Sequence, residues 1–151
     1  MARNRTRWQQ HQYKLNALLL LFPLWFLYQG MTPDPLPPAW SAQQLGPFTI
    51  VPRPLDLDPP YSHHGLYQKD YSITFSQGDI RTIRQAYANL GPSPLPLAQL
   101  EQGAEGIMHG NRYSQHVHAI APAQVQPGDQ WWLTIQTWQG EVLISHWPIP
   151  D

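Results

Sequence analysis

The segment PGDQWWLTIQTWQGEVLISHWPI, from Pro127 to Ile149, carries the clearest structural pattern in the chain. Two runs of aromatic and β-branched residues flank the dipeptide Gln139-Gly140, which suits a tight two-residue turn. The pattern predicts a β-hairpin in which Leu133 faces His146, so that His146 ends a core-facing row. The opposite face would be aromatic, and the candidate partner-binding residues on the hairpin are Trp132, Trp138 and Trp147. Packing of the sheet core and edge is the alternative role for these tryptophans.

Upstream of the hairpin, two segments predict further elements. Residues 70–78, DYSITFSQG, alternate apolar and hydroxyl side chains and therefore predict a strand. Residues 78–92, GDIRTIRQAYANLGP, predict a helix, because their apolar residues recur at helical spacing. Asp79 would cap the start of this helix and Gly91 would end it. The predicted fold class is α+β and mainly β, with an N-terminal transmembrane helix and a sandwich-like antiparallel sheet against which this helix packs.

The N-terminal part of the chain has the pattern of a membrane anchor. Residues 1–16 carry four basic residues and no acid, and residues 17–28 are wholly apolar apart from the interruption at Pro23. The positive-inside rule then predicts a cytoplasmic basic segment at 1–16, a signal anchor at 17–31, a proline-rich spacer at 32–47 and a periplasmic domain at 48–151. We expect a single-pass protein of the inner membrane. A cleaved signal peptide and a buried core helix are the alternatives, although no small-x-small cleavage site follows the apolar stretch.

Histidine is the residue type that points to chemistry. In SQHVHAIAP, His116 and His118 would project from the same side of a strand, close enough to ligate one ion. The further candidate metal ligands are His63, His64, His109 and His146. In an oxidising compartment this imidazole set suits copper or zinc. Solvated surface histidines are the alternative interpretation, because such pairs are common on exposed strands.

Composition excludes several classes of function. The 151-residue chain contains no cysteine, which rules out disulfides, Cys-zinc sites and thiol nucleophiles. The part predicted to be exported is net acidic, which disfavours nucleic acid as a partner. No nucleophile elbow, phosphate-binding glycine loop or H-E-x-x-H helix is present, so we predict no catalytic residues.

Three segments carry a resemblance to known proteins: PPYSHHGLYQKDYSITF, GIMHGNRYSQHVHAIAP and WWLTIQTWQGEVLISHWPI. They resemble a group of small, uncharacterised, N-terminally anchored envelope proteins of Gram-negative bacteria. The resemblance implies an envelope location and an association with TonB-dependent uptake systems, and it assigns no residue a role.

These observations together predict a membrane-anchored periplasmic accessory protein that binds a transition metal, or a metal–ligand complex, in uptake or homeostasis. Its expected partners are the inner membrane and another envelope or membrane protein. The alternative is a scaffold subunit of an inner-membrane complex that interacts through the tryptophan-rich hairpin or the membrane-spanning segment.

Overall fold

A computed structural model describes residues 18–32, 35–111 and 113–150, together with residues 11, 14 and 16. The chain divides into two compact units, Met1–Pro35 and Leu36–Asp151. In the first unit, helix α1 (Leu21–Met31) leaves all of its side chains exposed. Within the described residues, no helix combines the length and apolar character that a membrane crossing requires. Most of the predicted segment 1–16 lies outside the described residues, and the anchor at 17–31 remains a prediction.

The second unit is built on one antiparallel-rich sheet of nine strands, counted over the described residues. The strands are β1 (Gln43–Leu45), β2 (Phe48–Pro54), β3 (Tyr61–His63), β4 (Leu66–Gln77), β5 (Ile83–Gly91), β6 (Met108–Asn111), β7 (Ser114–Ala121), β8 (Gln130–Thr137) and β9 (Val142–Pro148). Their main order is β1-β2-β4-β7-β5-β8-β9, while β3 pairs with β4 and β6 pairs with β7. The sheet therefore begins at Gln43, inside the segment assigned to the spacer.

The two ends of this strand order approach each other, so the sheet is nearly closed. The Gln43 side chain on β1 donates from Nε2 to the carbonyl of His146 on β9 at 3.0 Å. It also accepts a 2.9 Å hydrogen bond from the hydroxyl of Ser145. The first bond partners a backbone carbonyl of the edge strand that would otherwise be open to pairing with another chain.

The core fills the inner face of the sheet. Trp131 and Trp147 are fully buried, with ring centroids 5.3 Å apart in an edge-to-face arrangement. Tyr71 lies 5.3 Å from Trp131, and the Trp147 indole donates to the carbonyl of Ser41 at 2.8 Å. As the alternation at 70–78 predicted, Tyr71 and Ile73 of β4 point into this core.

The helix predicted at 78–92 is wrong. Asp79 does accept from the Arg81 amide, but it caps only a 3₁₀ turn (Ile80–Thr82), after which the chain continues as strand β5. Alternate residues of β5, such as Ala88, enter the core. Asn89 on the outer face is covered because its amide bonds the backbone of the following loop, donating to Ser93 and accepting from Leu95. A strand buried on both faces loses the alternation that would have revealed it.

Two other expectations about the fold need correction. Over the residues of this unit that the structure describes, a nearly closed sheet with one short α-helix, α2 (Leu97–Leu100), replaces the sandwich-like sheet with a packed helix. In the C-terminal hairpin, Leu133 pairs with Ser145 and Trp132 with His146, one position away from the predicted register. The reason is a longer turn, in which the Thr137 amide donates to the carbonyl of Glu141 at 2.9 Å. His146 consequently points outward and is exposed.

Candidate metal centre

The β6–β7 hairpin brings the first two histidines together. His109 pairs with His116, and the preceding pair in the register is Met108 with Val117. Because Val117 is fully buried and Met108 packs against the core, both histidines project from the outer face of the sheet. Met108 is thus directed away from the imidazoles.

The third histidine joins them from β7 itself. His118 follows His116 by two residues on the same face, while the intervening Val117 is buried. Ring centroids lie 3.7 Å apart for His109 and His116, and 5.3 Å apart for His109 and His118. One ring nitrogen from each of the three residues lies within 4.8 Å of the other two. This spacing lets three imidazoles contact one ion at ordinary metal–nitrogen distances of about 2.0–2.1 Å.

Neighbouring groups orient two of the rings. Nδ1 of His118 lies 2.5 Å from the carboxylate of Asp70, its cross-strand partner on β4. Nδ1 of His109 lies 3.2 Å from the carbonyl of Ile107. A backbone carbonyl only accepts, and an ionised carboxylate only accepts, so Nδ1 carries the hydrogen in both rings, and in the neutral ring Nε2 has the lone pair that can bind a metal. Histidine ligands in metal sites have this arrangement.

A second contact holds the carboxylate that orients His118. The Tyr61 hydroxyl on β3 donates to Asp70 Oδ1 at 3.0 Å. Burial raises the pKa of Tyr61, and its hydrogen bond to Asp70 raises that pKa further, so the phenol remains a donor at neutral pH. Tyr61, Asp70 and His118 therefore form a chain of contacts across three adjacent strands.

The environment of His116 favours its neutral form. Burial lowers the pKa of His116, and the nearby imidazoles of His109 and His118 lower it further, outweighing the opposite effect of Asp70. A neutral imidazole is the state that can ligate a metal. The three rings are thus close together, two of them are oriented by neighbouring groups, and the lowered pKa of His116 favours the form that can bind a metal.

A family model described as uncharacterised conserved protein UCP029505 matches residues 7–150. The chain belongs to this family. No curated protein and no solved structure matches it. The family confirms the resemblance to uncharacterised proteins, whereas the envelope location and the TonB association remain predictions.

In this family member, the structure separates the six predicted metal ligands into three groups. His109, His116 and His118 form the cluster. His63 and His64, stacked with centroids 4.0 Å apart at the β3–β4 turn, line a cleft of about 410 Å³ that His109 and His118 also line. His146 lies on β9, three positions from β7 in the strand order, with its ring 4.8 Å from that of Trp132.

The predicted partner-binding tryptophans differ in their surroundings. Trp147 is fully buried in the core, so it is unavailable to a partner, because the hairpin register differs from the predicted one. Trp132 is partly buried and donates from its indole to the carbonyl of Gly91 at 2.9 Å. Trp138, at the hairpin turn, is 65% exposed.

Two functional candidates, Asp70 and Tyr61, were missed by sequence reasoning. Asp70 begins the strand pattern at 70–78, and nothing local distinguishes it from a solvated carboxylate. Its role follows from the β4–β7 register, which places it opposite His118.

Proposed function

We propose that this protein binds one transition-metal ion, copper or zinc, through Nε2 of His109 and His118 and a ring nitrogen of His116. The observation that carries this proposal is the convergence of the three ring nitrogens within 4.8 Å of one another. The Asp70 carboxylate and the Ile107 carbonyl each contact Nδ1 of one ring, and such contacts orient the histidine ligands of metal sites.

The donor set limits the choice of metal. Three imidazoles suit copper and zinc, whereas calcium and magnesium require oxygen ligands. Three protein ligands also leave at least one coordination position for water or another molecule. The arrangement therefore suits a metal that is exchanged or presented, which matches an accessory role in metal uptake or homeostasis.

The cellular setting of the proposal comes from the sequence. The basic segment followed by an apolar stretch supports an inner-membrane anchor with the second unit in the periplasm. There, the protein would hold copper or zinc for an envelope or membrane partner. A reporter fused to the C-terminus and active only in the cytosol would contradict this placement without affecting the metal site.

The metal site is tested on the full chain, purified in mild detergent without chelators and without a polyhistidine tag. We expect one copper or zinc ion per chain by elemental analysis and submicromolar affinity in competition titrations with a chromophoric chelator. His109→Ala, His116→Ala and His118→Ala should each weaken binding severely. The matched control is His146→Ala, which removes an exposed imidazole outside the cluster and should leave affinity unchanged. Binding no tighter than micromolar, or equal losses in the control, would overturn the proposal.

A further inference from the structure

The cleft beside the histidine cluster contains a polar group that the fold does not use. Gln68 of β4 is only 4% exposed and lines this cleft. Its side chain makes no hydrogen bond with any residue that the structure describes. The Gln68 amide atoms are not among the buried polar atoms that lack a partner, so they reach the space of the cleft. A side chain that is held by its packing and has a free N–H donor at a cleft can bond a ligand that binds there.

The proposed metal site borders the same space. His109 and His118 line the cleft, so an ion held by these rings borders it. The His63–His64 turn and residues 104–107 also line the cleft. At about 410 Å³, the cleft is far larger than the share of one water, which is about 30 Å³. It has room for an organic molecule of on the order of ten heavy atoms.

We propose that this cleft binds a small carboxylate that is the fourth ligand of the metal and accepts a hydrogen bond from the Gln68 amide. The inference rests on the proposed metal site. A carboxylate oxygen is a normal ligand of zinc and of copper, and the other oxygen accepts from an N–H donor. The ion supplies the charge that attracts the anion, and Gln68 supplies its orientation. The protein would thus hold the metal together with an organic acid, as a metal–ligand complex.

The cleft also contains a carboxylate that should weaken the binding of an anion, so its removal should change carboxylate affinity in the direction opposite to the loss of Gln68. Glu105 also lines this space, and its carboxylate repels a bound carboxylate. Glu105→Gln removes that repulsion, so it should tighten carboxylate binding, whereas Gln68→Leu removes the donor and should weaken it. Neither residue belongs to the three-histidine cluster.

The experiment uses the full chain loaded with Co(II), whose visible absorption reports coordination, and titrates acetate and the larger benzoate. We expect both anions to change the spectrum at saturable concentrations. Gln68→Leu should weaken acetate binding about tenfold while leaving metal affinity unchanged, since a hydrogen bond to a charged group is worth about that factor. Glu105→Gln should strengthen acetate binding. Gln139→Leu, at the exposed β8–β9 turn, is the matched control and should match the wild type.

The outcomes separate the two proposals. If the wild type binds metal but acetate and benzoate leave its spectrum unchanged, the carboxylate inference fails and the metal site stands. Equal acetate affinity in the wild type and Gln68→Leu also overturns the inference, because the anion would then bind the ion without the amide. If the wild type binds no metal, the proposed function fails and the inference fails with it.

Discussion

Replacement of Asp70 by asparagine tests whether the contact behind His118 belongs to a metal site. The substitution keeps the shape of the side chain but removes the charge that faces Nδ1 at 2.5 Å. A neutral acceptor bonds an N–H about half as strongly as an ionised one, and the amide can also rotate to donate, which would favour the tautomer that blocks Nε2. Loss of such an outer partner weakens metal affinity by about 10–100-fold.

The solvent exposure of the two side chains sets the expected loss of metal affinity within that range. The side chains of His118 and Asp70 are 44% and 25% exposed, so water screens part of their interaction. We therefore expect Asp70→Asn to raise the metal Kd about tenfold, which corresponds to about 1.4 kcal/mol.

The measurement is a competition titration with Cu(II) and with Zn(II) on the full chain, paired with thermal unfolding of the metal-free protein. The matched control is Asp129→Asn, which changes a carboxylate that accepts from the Gln126 amide in a loop outside the cleft. Unchanged affinity in Asp70→Asn would refute the orienting role of the carboxylate. A lower unfolding temperature without a change in Kd would show that the contact serves the fold alone.

Three further single substitutions and one double variant test the hairpin, the core and a buried charge. Gly110→Ala should weaken metal binding at least about tenfold. The added Cβ would lie 2.2 Å from the carbonyl oxygen of Ser114 and would force β6 away from β7. The circular dichroism spectrum should remain that of the folded sheet. Wild-type affinity would show that this pairing does not position His109. Leu133→Ala, at a fully buried position, should lower the free energy of unfolding by about 3 kcal/mol in urea; a loss below about 1 kcal/mol would contradict the assigned core. Asp56→Ala removes one of two partners of the Lys69 ammonium, which also donates to the carbonyl of Asp58. Because the Asp56 side chain is 46% exposed, the loss of stability should be about 1 kcal/mol in the same assay. Adding Lys69→Met should recover most of that loss, and no recovery would show that the carboxylate acts otherwise.

The sequence predicted the strands whose two faces differ and failed where both faces are covered. Alternation at 70–78 identified the central part of β4 because Tyr71 and Ile73 are buried while Thr74 is exposed. The same rule failed on β5, where the residues from Ala86 to Gly91 are all buried. Their covering comes from the loop that Asn89 anchors, a long-range consequence of the fold that no local pattern contains.

Only one part of the candidate site could be predicted from the sequence, the shared face of two histidines. Periodicity on β7 placed His116 and His118 on one face, but it could not show which other histidine joins them. That pairing depends on the β6–β7 register, in which Asn111 pairs with Ser114 and His109 therefore faces His116. Asp70 and Gln68 could be recognised only from the β4–β7 register and from burial.

Strand β6 stands outside the main order of the sheet and pairs with β7 over four residues. Detaching so short a strand breaks few hydrogen bonds, so local opening should require far less free energy than global unfolding. An ion shared between His109 on β6 and two residues of β7 would act as a cross-link that opposes this opening. Metal occupancy would then slow amide hydrogen exchange in β6 and leave β8 unchanged. The loaded and empty proteins would differ in local dynamics while keeping the same fold.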